Sequence, residues 1–179
     1  TLGVHVRLLL RRVERSQCDT DYLEHFSCLS LRAAVRALAS LVLSAFDVEE
    51  LPTHGGSLRL WARHAKASVP PSDALLALLQ VERAAGMLES AFYRDFQPRA
   101  DRVKNDALGF LLEQWRAGRR VAAYGAAAKG NTLLNYAGVK PDLLPFVVDA
   151  SPHKQGRLLP GSRIPVVGEQ HLRKRRPDY

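Results

Sequence analysis

Val121-Ala122-Ala123-Tyr124-Gly125-Ala126-Ala127-Ala128-Lys129-Gly130-Asn131-Thr132-Leu133-Leu134-Asn135 sets an apolar run, a glycine-bounded turn and a helix-compatible segment in succession. The spacing predicts a strand over Val121 to Tyr124, a loop over Gly125 to Gly130, and a helix opening at Asn131 and Thr132. Small residues at such a junction let a ligand come close to backbone, and the free N–H groups of the following helix favour an anion. Lys129 adds a point charge at the same place. The turn is not G-x-G-x-x-G, since only Gly125 and Gly130 are glycines, nor a Walker A loop, because Lys129 precedes its glycine. Taken alone, it reads equally as a plain strand-to-helix turn kept small for close packing.

Downstream, the helix from Asn131 ends near Gly138, and Leu143 to Asp149 reads as a second strand. An acid at the end of that strand meets a ribose hydroxyl in dinucleotide sites; Asp149 as cap of the Ser151-Pro152 turn is the other reading. Ile164 to Val167 is a short edge strand, and a helix starts over Gly168 to Leu172. A doubly wound sheet would place another strand after it, so the end is expected to be truncated. Upstream, Arg99 to Ala117 predicts an amphipathic helix with Val103, Leu108, Leu111, Leu112 and Trp115 towards a core and Gly118 as its stop. Helix followed by strand followed by helix is an α/β arrangement.

Further back, Val4 to Val13 is ambiguous between strand and helix, and its length and arginines favour a helix. Asp21 to Ser27 crowds ionisable and aromatic side chains without a clean period, which points to a site. Ser30 caps an expected helix from Leu31 to about Leu41, with Leu31, Val35, Leu38 and Leu41 or Val42 on one face. Ser44 to Leu51 and Ser57 to Arg63 are expected as antiparallel strands around the Pro52 to Gly56 turn. A linker over Lys66 to Pro71 leads to a helical tract from Ser72 to Phe96. Leu75, Leu76 and Leu79 sit there at helical spacing, Glu82 and Glu89 face solvent, and Pro98 interrupts.

The 179 residues fit one large domain or a domain with an appendage, and 46% hydrophobic with 25% charged residues place the chain among globular proteins. The net charge of +8 comes from scattered arginines rather than a clustered stripe, which argues against nucleic acid and leaves a nucleotide diphosphate as the anion to consider. Cys18 and Cys28 have no metal-ligand spacing and read as reduced thiols of a cytoplasmic protein. No run has the length of a membrane span.

With these blocks in order, the chain resembles the C-terminal domain of sugar C-methyltransferases, S-adenosylmethionine-dependent enzymes that methylate a carbon of nucleotide-linked keto sugars. The resemblance rests on Asp19 to Ser27, Leu51 to Arg59 (Leu-Pro-Thr-His-Gly-Gly-Ser-Leu-Arg), Tyr124 to Asn135, and Val148 to Gly156 followed by Leu159-Pro160-Gly161 and Ile164-Pro165-Val166. It implies an α/β fold with a Rossmann-like C-terminal sheet, preceded by a helical and β-hairpin region. Residues 1–29 would then be the end of the methyltransferase domain with a catalytic segment, and 30–179 the C-terminal domain. It also implies a zinc-binding N-terminal portion and an S-adenosylmethionine-binding domain, both expected outside this chain, which is expected to be a fragment or split product.

Methylating a carbon beside a ketone requires loss of an α-proton, hence a base and a stabiliser for the enolate. The family's Tyr-His-Glu-His segment implies Tyr22, Glu24 and His25 at that site. His25 is the candidate base, its ordinary pKa of about 6.5 lying near neutrality. Glu24 would orient it, and Tyr22 would hydrogen-bond the keto oxygen. The family's first histidine is Leu23 here. For substrate binding the resemblance implies His54 and Gly55 in the Gly-Gly turn, together with Lys129, Asn131 and Lys154, around a dTDP-type keto-deoxysugar. Arg59 and Arg157 are expected to be solvated or structural. The competing classes are a non-catalytic module that binds a nucleotide sugar or a partner methyltransferase, and a nicotinamide-dependent enzyme, disfavoured by the missing glycine fingerprint.

Overall fold

A computed structural model describes residues 1–14, 27–52 and 56–179. They divide into two units, one reaching Pro98 and the other spanning Arg99–Tyr179. Both mix helices and strands, as the α/β reading requires.

The first unit opens with β1 (Leu2–Leu8), which passes directly into α1 (Leu9–Glu14). The single helix expected over Val4 to Val13 is therefore corrected to a strand and a short helix. Val4, Val6 and Leu8 alternate at period two, and this signal outweighs the arginines that suggested a helix. β2 (Cys28–Leu29) and α2 (Leu31–Ser40) follow, then the hairpin of β3 (Leu43–Leu51) and β4 (Ser57–His64). The sheet order is β2-β1-β4-β3, with β1 parallel to β2 and β4 antiparallel to both its neighbours. Hairpin register runs from Leu43 opposite His64 to Leu51 opposite Ser57, with an irregularity between Ala45 and Asp47.

Leu58, Leu60 and Ala62 of β4 lie on one face and are fully buried, in a core with Leu8, Leu10, Leu31, Leu38 and Leu75. Removing such leucines from water contributes roughly 1.5–3 kcal/mol each. Leu41 and Val42, expected to extend the buried face of α2, are 70% and 55% exposed because the helix has already ended at Ser40.

α3 (Asp73–Ala84) is fixed at its start to the irregular part of β3. Ser72 Oγ donates to Asp47 Oδ1 at 2.6 Å while accepting from Leu75 N, and Ser72 N donates to Phe46 O. The tract then breaks at Gly86, and a short α4 (Ser90–Arg94) precedes α5 (Phe96–Arg116). Pro98 does not interrupt, since it sits in the first turn of α5, where its missing N–H leaves no intrahelical bond unmade.

Glu82 is the largest departure from its expected place. Only 3% exposed, it reaches the start of α2, where Leu31 N donates to Oε1 (2.6 Å) and Arg32 N to Oε2 (3.0 Å). Ser30 Oγ accepts from Ala33 N. Three orphan donors of one helix end are thus satisfied by two side chains from different helices' neighbourhoods. The helical wheel of α3 gave no sign of this, because the partner lies far away in sequence.

The second unit contains most of α5, then β5 (Ala123–Tyr124), α6 (Ala128–Tyr136), β6 (Val147–Val148), β7 (Val166–Val167) and α7 (Gln170–Arg175). Its three strands are parallel in the order β5-β6-β7. The strands are shorter than expected: Val121 and Leu143 to Phe146 lead into the ladder without joining it. α6 starts at Ala128, ahead of the expected Asn131. The core holds Leu111, Val121, Val139, Leu144, Val147, Ile164 and Val166. Val103 and Trp115, expected inward, are 40% and 61% exposed, whereas Leu108 and Leu111 pack as read.

Glu82→Ala is expected to lower the stability of the first unit by about 2–3 kcal/mol, the cost of orphaning two buried donors. Urea unfolding followed through Trp61 fluorescence in a Trp115→Phe background measures it; an unchanged midpoint would remove this cap from the account.

Candidate functional site

In a parallel sheet the loops after the strands gather at one edge, and that edge is where open α/β sheets bind ligands. β5 ends at Tyr124 and is followed by Gly125 with φ 96°, a conformation open to glycine and strained for other residues. Gly125 N donates to Val148 O at 2.6 Å, carrying the β5–β6 contact one residue past the strands.

Beside it lies Asp149, 7% exposed. Ser151 N donates to its Oδ1 (2.8 Å), and both Ala126 N (2.7 Å) and Lys154 Nζ (2.9 Å) donate to its Oδ2. Lys154 Nζ also donates to Ala126 O, and Gln155 Nε2 to Asp149 O. Of the two readings of this acid, capping the Ser151 turn is the one realised, and the same carboxylate also clamps the loop after β5. The backbone N–H of Ser151, then the Lys154 ammonium, hold its pKa below the ordinary aspartate value of 3.8. With three of about four acceptor positions filled, little remains for a ribose diol.

The start of α6 is open by contrast. Its N-cap, Ala127, offers no side-chain acceptor, so the first N–H groups of the helix lack an internal partner. Lys129 is half-buried in this first turn and makes no hydrogen bond or ion pair among the described residues. Asn131 Oδ1 is shielded from solvent and accepts no hydrogen bond there. A buried acceptor left so costs about 1–3 kcal/mol until a donor arrives. Further along, Asn135 Nδ2 donates to Pro160 O and Lys140 Nζ to Gly161 O, tying α6 to the loop before β7. A Cβ at Gly161 would lie 2.1 Å from Asn135 Oδ1, so only glycine fits.

Two residues of this edge escaped the reading of the sequence. Tyr124, 63% exposed at the end of β5, donates its hydroxyl to Glu169 Oε1 at the start of α7. That hydrogen bond raises the tyrosine pKa. A tyrosine closing an otherwise small apolar strand was the available signal; its partner, far along the chain, had none.

Of the expected site residues, the structure brings Lys129, Asn131 and Lys154 to this one edge. Lys154 has part of its ammonium committed inside the turn. Tyr22, Glu24, His25, His54 and Gly55 lie outside the described residues. At the end of the hairpin a cavity of about 340 Å³ is lined by Glu50, Leu51, Pro52 and Gly56. Arg11 pairs there with Glu50 at 2.9 Å. Arg59 bonds Glu49 and His5 across the sheet, the structural role expected of it. Among the described residues no group of three His, Cys, Asp or Glu could hold a metal ion, and no helix is long and apolar enough to cross a membrane.

A family model described as C-methyltransferase C-terminal domain matches residues 52–179. The chain is 35% identical over 176 residues to the C-methyltransferase NovU of Streptomyces niveus, a match covering 98% of this chain and 42% of the relative. It thus spans less than half the length of that curated relative.

Because the folded pKa of Asp149 is depressed, its stabilising effect is present above the ordinary aspartate range and is lost as pH falls through the lowered value. Asp149→Asn is expected to lower the melting temperature of the second unit at neutral pH and to flatten its fall in acid. Melts followed through Trp115 in a Trp61→Phe background across acidic pH measure both; an unaltered acid limb would contradict the clamp.

Proposed function

The chain belongs to the family of C-methyltransferase C-terminal domains, and from that premise we propose that it is the substrate-binding part of an S-adenosylmethionine-dependent C-methyltransferase acting on a dTDP-type keto-deoxysugar. The observation that carries the binding half is the open start of α6. The N–H groups after Ala127, with Lys129 and Asn131 Oδ1 unpartnered among the described residues, together suit a diphosphate with a nearby hydroxyl or ring N–H donor. Three parallel strands with α6 between β5 and β6 support reading this unit as a Rossmann-like sheet.

For the chemistry, His25 takes the proton from the carbon beside the ketone, and the C–H electron pair becomes the C=C of an enolate whose charge rests on the former keto oxygen. Tyr22 hydrogen-bonds that oxygen, and Glu24 holds the imidazole in the tautomer that accepts. These roles rest on the match of Tyr22, Glu24 and His25 to the family's segment.

S-adenosylmethionine does not fit the described residues. Asp149, the acid placed to accept a ribose diol, is spent on Ala126, Ser151 and Lys154, and Lys129 would repel a sulfonium. We assign the methyl donor to residues other than these. A non-catalytic nucleotide-sugar-binding module shares the binding half of this reading; Leu23, where the family has a histidine, is the observation that favours it.

Calorimetric titration of the chain is expected to show binding of dTDP and none of S-adenosylmethionine, with Lys129→Ala weakening dTDP about tenfold. Tight S-adenosylmethionine binding would overturn the assignment. In the complete enzyme His25→Ala is expected to abolish exchange of the sugar α-proton with solvent; undiminished exchange would remove His25 as the base.

A further inference from the structure

We propose that the second unit carries another small-molecule pocket, at the amino-terminal side of its parallel sheet, that takes a planar aromatic anion. The residues preceding all three strands meet there: Arg120 before β5, Pro145 and Phe146 before β6, and Pro165 before β7. With Val167 of β7, His171 and Arg175 of α7 and Pro177 they line a half-open cavity of about 350 Å³. Small-molecule sites occupy roughly 300–1,000 Å³, so the space suits a compact ring system.

The chemistry of the walls selects the occupant. Phe146 and the prolines supply flat apolar surface, and the Phe146 and His171 rings lie 6.5 Å apart, tilted by 54°. Those surfaces favour a planar body. The charged groups are of one sign. Arg120 is held in place by donating from Nη2 to Arg176 O at 3.2 Å, and among the described residues neither it nor Arg175 pairs its guanidinium with a carboxylate. One acid stands close: Asp178 Oδ2 accepts from Arg120 N at 2.7 Å and is engaged by that backbone bond. Its single charge faces two arginines here, and the rest of this helix end adds Arg173, Lys174 and Arg176.

His171 completes the aromatic part of the wall. Its Nδ1 is shielded from solvent and makes no hydrogen bond among the described residues. A nitrogen that water does not reach does not face the cavity, so His171 contributes ring surface to the wall rather than a hydrogen bond. A guanidinium beside an apolar wall also attracts an anion more strongly than one in open solvent.

This pocket is separate from the proposed nucleotide site. Lys129 and Asn131 stand after β5 and line no part of this cavity, which is formed by residues before the three strands together with Val167 of β7, α7 and Pro177. α7 reaches both, since Glu169 at its start bonds Tyr124 while His171 and Arg175 line the cavity. The inference does not depend on the proposed function.

Titrating 4-hydroxybenzoate into the isotope-labelled chain and recording backbone amide spectra tests it. Saturable shifts are expected at Phe146, Val167 and His171, with benzyl alcohol and inorganic phosphate each binding at least about tenfold more weakly. Arg175→Glu, at an exposed position, is expected to weaken 4-hydroxybenzoate about tenfold or more while leaving the remaining spectrum in place. Absence of saturable shifts at those amides, or indifference to Arg175→Glu, would overturn the pocket. Equal binding of benzyl alcohol would overturn its preference for an anion, and equal binding of phosphate its preference for a ring.

Discussion

Asp149 holds together the edge at which this domain can act. A single buried carboxylate takes donors from the loop after β5 and from the turn after β6, and its own backbone carbonyl takes Gln155. The two strands it links are only two residues long, so the ladder alone fixes the loops weakly. Aspartate suits the place because its short side chain can accept from Ser151 N two residues on and still reach across to Ala126 N. The arrangement also explains why Lys154 is a poorer candidate for a phosphate than Lys129. Two of its three ammonium protons are directed to Asp149 and to Ala126 O.

Helix ends show the same division between structure and function. α2 is sealed by Ser30 and the buried Glu82, and α3 by Ser72, itself anchored to Asp47. α6 follows Ala127, whose side chain makes no cap hydrogen bond. An uncapped helix start costs stability unless something else satisfies its donors. Beside it stand Lys129 and the amide oxygen of Asn131, neither of which has a hydrogen-bond partner among the described residues. Those groups are what the proposed nucleotide diphosphate sugar would meet, as an anion carrying hydroxyls and ring N–H groups.

How much of this could be read beforehand depended on the range of the interactions. The β3–β4 hairpin, the Ser30 and Ser72 caps and the strand–loop–helix unit at Val121 to Asn135 are local, and all three were legible in turn chemistry and period. What failed was decided by distant partners or by length. Glu82 read as solvated because its partner helix lies elsewhere; Tyr124 and Glu169 meet across the sheet with no motif between them. The length and arginines of Val4 to Val13 favour one helix although Val4, Val6 and Leu8 alternate, because the segment joins β1 to α1 without a break. Pro98 reads as a break only if α5 starts after it, and α5 starts at Phe96. The catalytic segment proposed at Tyr22, Glu24 and His25 lies outside the described residues and rests on the family's pattern alone, since its spacing has no periodic logic of its own.

The central claim is that the open start of α6, framed by the Asp149 clamp, receives the nucleotide diphosphate. Backbone amide spectra of the chain titrated with dTDP test this most directly. The account predicts that the largest saturable shifts fall at Gly125 and over Ala128 to Asn131. Shifts confined to the first unit, or no saturable shift at α6, would contradict it.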